Sequence, residues 1–305
     1  MITFLKKEYK DEEIFAILDQ HVRQWFKNKF KTFTPPQRFS IVEIHKGENV
    51  LICSPTGSGK TLSAFLAIIN ELIELGRKGE LEDKVYALYI SPLKALNNDV
   101  KRNLEEPLQE LQSLFAQRNI TFPNIRVSVR TGDTSANERS KMLKKPPHIL
   151  ITTPESLALL LSARKASKML EAVRWVVVDE LHALAENKRG TSLSLSLERL
   201  SHRIKVNTGY EPVRIGLSAT VNPLETMAQF LVGEGRPCKI VDVSFEKPLE
   251  IVIHNPTKDI IRDSAEEVFA AVKNVLLETV RKHRTTLIFT NTRSATERIS
   301  HMLKK

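Results

Sequence analysis

Six short apolar runs punctuate the chain, at 49–54 (NVLICS), 85–90 (VYALYI), 125–129 (IRVSV), 148–152 (HILIT), 175–178 (WVVV) and 214–217 (RIGL). All are rich in Val, Ile or Leu, the composition of strands covered on both faces of a parallel sheet. Between them, apolar residues recur at helical spacing over 62–75, 97–115 and 192–204. This alternation predicts an α/β fold with an open, doubly wound, mostly parallel sheet, whose ligands gather at the carboxyl ends of the strands. The pattern loosens through 244–255, near Pro248 and Pro256, as a connector does. A helix over 263–282, a strand at 285–291 (TTLIFTN) and a helix from Arg293 then follow. One strand between two helices cannot bury both faces of a sheet, so this last stretch reads as the opening of a second, incomplete α/β domain. The expected organisation is a helical extension over 1–33, a main domain over 34–243, a linker over 244–260 and a partial domain over 261–305.

Composition narrows the classes. Hydrophobic residues at 41% and charged residues at 27% of 305 positions describe a globular chain with no disordered tract. No apolar run approaches the roughly 20 residues that span a bilayer, and the N-terminus, MITFLKKEYKDEEIF, lacks the apolar core of a secretion signal. The expectation is a cytoplasmic protein that does not engage a membrane. The two cysteines, Cys53 and Cys238, stand in no metal-ligand spacing and read as small buried residues. A formal charge of +10 favours an acidic polymer as partner, although by itself it selects none.

Candidate chemistry lies at the strand ends. SPTGSGKT, residues 54–61, follows one apolar run and precedes a helical pattern, the context of a phosphate-cradling P-loop. There Pro55, Thr56, Gly57, Ser58 and Gly59 bring backbone N–H groups onto phosphate oxygens, Lys60 adds an ammonium, and the Thr61 hydroxyl offers a ligand to Mg²⁺. The loop departs from the usual pattern at Ser54, where Gly or Ala is customary. VVVDELHAL places Asp179 and Glu180 after a very apolar strand: Asp179 to hold Mg²⁺, Glu180 to orient and deprotonate a water. His182, on its own, reads equally as a packed or a functional histidine.

Seven elements occur in one order: GSGKT, SPLKAL (91–96), TGD (131–133), TTPES (152–156), DELH, SAT (218–220) and IFTNTR (288–293). The set resembles the superfamily 2 helicases, and FTPPQRFSI, SPLKALNND, TGDTSANER and DELHAL are similar to their large helicase-related (Lhr) family, over about residues 14 to 305. The resemblance implies ATP and Mg²⁺ as cofactors and a RecA-like first motor domain followed by the start of a second. It implies that Gln37 reads adenine, since a carboxamide both donates and accepts; on its own that glutamine is a surface loop position. Phe30 and Phe33 either flank the base or pack the N-terminal helix. Lys94, Thr131, Gly132, Asp133, Thr153, Pro154, Glu155 and Ser156 match positions that grip a nucleic-acid backbone, as do Thr290, Asn291 and Arg293. For 153–156 plain helix capping is the competing reading. Ser218, Ala219 and Thr220, joined by His182, match the element that couples nucleotide state to domain closure.

The family's arginines that reach across to the γ-phosphate have no counterpart after Arg293, so the expectation is a piece of a longer helicase that binds ATP and turns it over slowly. The implied partner is single-stranded or partly duplex nucleic acid, DNA before RNA. The rival readings are an RNA remodeller, a nucleotide-dependent binding module without motor activity and, more remotely, a metabolic P-loop kinase.

Overall fold

A computed structural model describes residues 1–92, 94–219, 223–243, 250–257 and 262–304, leaving out the side chains of 94–96, 98 and 304. Its elements run β1 (Ile2–Phe4), α1 (Asp11–Ile17), α2 (Gln20–Lys29), α3 (Pro35–His45), β2 (Val50–Cys53), α4 (Lys60–Arg77), β3 (Ala87–Ile90), α5 (Lys94–Gln117), β4 (Val127–Arg130), α6 (Ala136–Lys144) and β5 (Ile149–Thr152). They continue with α7 (Pro154–Ser162), α8 (Arg164–Lys168), β6 (Trp175–Val178), α9 (Leu181–Ala185), α10 (Lys188–Thr208), β7 (Val213–Ser218), α11 (Leu224–Val232), β8 (Cys238–Asp242), α12 (Ala265–Lys282) and α13 (Arg293–Lys304). Residues 1–247 form one compact unit and 248–305 another.

The eight strands make one sheet in the order β1-β8-β2-β7-β6-β3-β5-β4, and every pairing is parallel. Successive side chains of each strand face opposite ways, which divides the core in two. Val50, Ile52, Tyr89, Val177 and Ile215 face a cluster built with Phe26, Phe33, Ile41, Phe65 and Phe115 of the N-terminal segment, α3, α4 and α5. Leu51, Cys53, Leu88, Val176 and Val178 face a second cluster with Leu157, Leu184, Leu197 and Leu231 of α7, α9, α10 and α11. Helices therefore cover both faces, as expected of a doubly wound sheet. Burial pushes the thiols of Cys53 and Cys238 up to about 12, so both remain protonated, apolar fillers.

Local signals set the helix ends. Thr34 stands at the N-cap of α3 with Pro35 behind it and its N–H held by Gln37, Thr153 caps α7 with Pro154 behind it, and Asn187 caps α10, which stops at Gly209 with φ of 82°. Arg214, nearly fully buried on β7, donates to Glu198 and Ser201 of α10 and to the Leu231 carbonyl of α11, fastening two helices to the sheet.

Three features differ from the sequence expectation. The first 33 residues are not wholly helical: Ile2–Phe4 pairs with β8 and extends the sheet. The run CKIVD forms β8, where Lys239 and Asp242 interrupt the apolar pattern that marks β2, β3, β5 and β6. In the second unit, 285–291 forms no ladder among the described residues, and Leu287 and Phe289 stand 79% and 89% exposed. An isolated extended segment has no partner for its backbone groups, so apolar composition alone does not make it a strand. Among the described residues its helices are α12, capped by Ser264 and Glu267, and α13, with Arg298 lying 5.7 Å from the Phe269 ring.

Two predictions concern stability. A Cβ at Gly190 would stand 2.0 Å from the Leu184 carbonyl oxygen of α9. Alanine normally stabilises a helix interior, but Gly190→Ala will destabilise the first unit by about 1–3 kcal/mol, read as a lower urea midpoint. His148 is buried, its Nδ1 accepts the Arg126 N–H, and burial with the Arg126 charge pushes its pKa down from 6.5 to about 4. The unfolded chain binds this proton more readily, so the contribution is complete above pH 6.5 and fades as pH falls toward 4, by up to about 3 kcal/mol. Stability measured between pH 6.5 and 4.5 will fall less steeply in His148→Gln than in the unaltered chain.

Candidate active site

The glycine loop leaves β2 at Cys53, where the Ser54 N–H donates to the Ser218 carbonyl of β7 at 3.2 Å. Gly57 and Gly59 have φ of 77° and 91°, a region that costs any other residue about 1–2 kcal/mol. Space forbids a side chain at Gly59 as well: its Cβ would lie 2.9 Å from Gln37 Nε2 and 3.1 Å from Thr34 Oγ1. Lys60, the first residue of α4, is buried and folds back onto its own loop, donating to the carbonyls of Ser54 at 2.5 Å and Pro55 at 3.3 Å. Burial pushes its pKa down, and the charges of Glu180 and Asp179 oppose that shift. Thr61 follows, half-buried, while Thr56 and Gly57 are exposed. The buried Ser54 hydroxyl lies 2.6 Å from that of Ser58, so the unusual residue of the motif spans the loop. A cavity of about 370 Å³ opens from Gly57–Thr61 between Trp25, Phe30, Phe65 and Leu104.

Gln37 is a buried residue of α3, not a surface position. Its Oε1 accepts the Thr34 N–H at 2.9 Å as half of a capping box, and its Nε2 faces the loop glycine. Phe33 is buried against Phe26 with ring centroids 4.0 Å apart, a packing role, whereas Phe30 borders the cavity.

Across the sheet, Asp179 and Glu180 follow β6, which pairs with β7, the neighbour of β2. Asp179 Oδ1 accepts the Glu180 N–H at 2.9 Å, and Oδ2 accepts the hydroxyl of Tyr89 from β3. Burial and the Asp179 charge hold the Tyr89 phenol protonated well beyond its ordinary range. Glu180 sits at φ 49°, ψ 45°, a left-handed conformation rare outside glycine that turns the chain into α9. His182 joins two motifs. Its Nε2 lies 3.2 Å from Glu180 Oε2, while Nδ1 lies 3.3 Å from the Ser218 hydroxyl and accepts the Ala219 N–H at 3.3 Å. The tautomer that satisfies all three contacts carries its proton on Nε2 and donates to Glu180. Thr220 lies outside the described residues.

Lys94 opens α5, its side chain outside the description. The TGD turn closes on itself: Thr134 Oγ1 accepts the Thr131 N–H, Thr131 Oγ1 accepts the Asp133 N–H, and Arg139 donates to the carbonyls of Thr131 and Gly132. At TTPES, the Thr153 hydroxyl donates to Ser156 Oγ and accepts the Ser156 N–H, so the capping geometry is present there. Glu155 is exposed and pairs with Arg189 of α10 at 2.6 Å, whose Nη2 also donates to the Pro92 carbonyl. Thr290, Asn291 and Arg293 belong to the second unit, where the Thr290 hydroxyl contacts Thr292 and Thr296.

Lys60 lies near enough to Asp179 and Glu180 to feel their charges, Gln37 abuts Gly59, and His182 links Glu180 to Ser218, so these residues gather by the ends of β2, β7 and β6. Tyr89 and Arg189 were not singled out by sequence. Tyr89 is hidden inside an apolar run, and Arg189 is one of 46 basic residues with no motif of its own. Among the described residues no three His, Cys, Asp or Glu side chains form a metal cage, and no helix is long and apolar enough to cross a membrane.

A glycine loop and lysine facing an Asp–Glu pair across an all-parallel sheet define a P-loop nucleotide-binding domain. Residues 34–228 match the DEAD/DEAH box helicase family, and the chain belongs to it. It is 57% identical over its whole length to the ATP-dependent helicase Lhr-Core of Methanocaldococcus jannaschii and 59% to the ATP-dependent helicase Lhr-Core protein 2 of Thermococcus barophilus, covering 35% of each. The structure of Mycobacterium smegmatis helicase Lhr bound to ssDNA and AMP-PNP superposes on 95% of this chain with a TM-score of 0.82 and 39% identity, and the match covers 36% of that protein. The chain spans about a third of the length of these relatives.

The Tyr89 hydroxyl bond gives a prediction. Tyr89→Phe keeps the buried ring but frees Oδ2 of Asp179, so urea stability will change by no more than about 1.5 kcal/mol. Affinity for a nucleotide with Mg²⁺ will fall about three- to tenfold, and affinity in EDTA will be unchanged, as read by fluorescent-nucleotide titration.

Proposed function

We propose that this chain is the nucleotide- and strand-gripping part of an ATP-dependent nucleic-acid helicase that acts on DNA. The convergence of Lys60, Asp179, Glu180 and the His182–Ser218 contact at adjacent strand ends carries this reading. The loop fits a triphosphate: two left-handed glycines, a helix N-terminus and a buried lysine form an anion cradle. The oxygen donors Thr61 and Asp179 suit Mg²⁺, which keeps several waters and takes few protein ligands. Bound there, the ion would neutralise charge developing on the phosphates.

The chain's own groups divide the remaining work. Tyr89 holds one oxygen of Asp179 and the Glu180 N–H the other, which together orient the carboxylate. Glu180, oriented by its left-handed backbone and by His182, aims and deprotonates the attacking water. Gln37 and the cavity beside Phe30 receive the base. Lys94, the TGD turn and the start of α7 hold the sugar-phosphate backbone without reading sequence, and Thr290, Asn291 and Arg293 do the same in the second unit. His182 passes the position of Glu180 to Ser218 and Ala219, which makes it the coupling residue. Binding of the Mycobacterium smegmatis relative to ssDNA supports DNA as the strand. For these 305 residues alone the proposal is nucleotide and strand binding with slow turnover.

Lys60→Ala will weaken binding of a non-hydrolysable ATP analogue at least tenfold, about 1.4 kcal/mol, and will remove the nucleotide dependence of strand affinity. Unchanged nucleotide affinity in that variant would sink the reading. Competition between DNA and RNA strands of matched sequence will favour DNA, and an equal or reversed preference would replace the DNA assignment with an RNA one.

A further inference from the structure

Several partly buried arginines of the first unit hold carboxylates. Arg214 pairs with Glu198 at 2.9 Å, Arg236 with Glu198 at 2.8 Å and Glu211 at 2.6 Å, and Arg126 with Asp83 at 2.5 Å. Arg130 and Arg139 contact no acidic side chain among the described residues. Arg139 Nη2 donates to the carbonyls of Thr131 at 3.3 Å and Gly132 at 2.8 Å, while its Nε is buried without a partner. Arg130 Nη1 is likewise buried and unpartnered. Burial, then the neighbouring Arg139 charge, pushes the Arg130 guanidinium pKa down. Two like charges with idle buried donors are costly to keep together, and an anion between them removes that cost.

Their place in the fold says which anion. Arg130 ends β4, directly before the TGD turn, in register with Thr152, whose hydroxyl donates to the Arg130 carbonyl at 2.7 Å. Thr153 and α7 follow Thr152. Val127 and Val129 face the first core cluster, so the strand alternation sends Arg130 to the opposite face, the side of α7. The pair thus stands between the two turns that the proposed function places on the sugar-phosphate backbone. The neighbouring groove, of about 430 Å³, is less selective, since it mixes Lys101 and Lys141 with Asp133 and Glu138.

We infer that Arg130 and Arg139 form a fork that takes one backbone phosphate of the bound strand between the TGD turn and the start of α7. This inference rests on the nucleic-acid reading above. Guanidinium groups match phosphate oxygens in paired hydrogen bonds, and such a contact positions the strand without sequence preference. It brings a buried, directional cationic contact to a groove in which the first-unit motifs supply one lysine as their only cation.

The test is equilibrium binding of a labelled oligothymidylate strand to the 305-residue chain, with a non-hydrolysable ATP analogue, across a salt series. Arg130→Gln and Arg139→Gln will each weaken binding about tenfold and lower the slope of log affinity against log salt by about 0.7, with nucleotide affinity unchanged. Arg130→Lys, which keeps the charge, will lose less affinity and retain the slope. Urea unfolding separates this role from a structural one: Arg130→Gln, relieved of a like charge, will be at least as stable as the unaltered chain. If the unaltered chain binds the strand and both Gln variants match it in affinity and slope, the fork is overturned and the nucleic-acid reading stands. Loss of stability in Arg130→Gln in step with lost affinity overturns it in favour of a structural arginine. Failure of the unaltered chain to bind the strand overturns the nucleic-acid reading and the fork with it.

Discussion

The backbone hydrogen bond from the Ser54 N–H to the Ser218 carbonyl fixes the geometry on which the rest of the site depends. It is the last rung of the β2–β7 ladder, and it sets the phosphate loop beside the Ser218–Ala219 segment. β6 pairs with the other edge of β7, so the Asp179–Glu180 turn arrives one strand further on. A parallel sheet makes this possible because all its strands present their carboxyl ends on one side. Ser218 therefore touches both halves of the site: its carbonyl receives the loop, and its hydroxyl contacts His182, which holds Glu180.

Most of this architecture was legible in the sequence because strands buried on both faces leave dense apolar runs. β2, β3, β5 and β6 carry no charged residue and are fully covered. β8 and β1 escaped because one has charged residues within five positions and the other is three residues long. The segment 285–291 shows the converse: it has the right composition, but a strand exists only when another strand accepts its hydrogen bonds. The place of the loop and of Asp179–Glu180 at strand ends was legible because phosphate binding demands particular residues at fixed spacing directly after a strand. Tyr89 was not, since its role arises from β3 lying beside β6, a neighbourhood no linear pattern records.

Gln37 and Thr153 show how one residue serves two ends. The Gln37 carboxamide closes the N-terminus of α3 and also abuts Gly59. Substituting it would disturb a helix cap and the phosphate loop together. Thr153 caps α7 with its hydroxyl, leaving backbone amides rather than that hydroxyl to meet a phosphate. Capping and the proposed backbone gripping are then compatible: the side chain orders the turn and leaves main-chain amides for a phosphate.

The lysine of the phosphate loop already has partners. Lys60 donates to two carbonyls of its own loop, and the Ser54–Ser58 hydroxyl contact spans the same turn. An incoming anion must replace these bonds before it gains anything, so the loop imposes a threshold on ligand charge. A single phosphate recovers little beyond what the carbonyls supply. A chain of phosphates, engaging the ammonium, the loop amides and the helix end together, would recover more, which under the proposed function favours a triphosphate over a single phosphate.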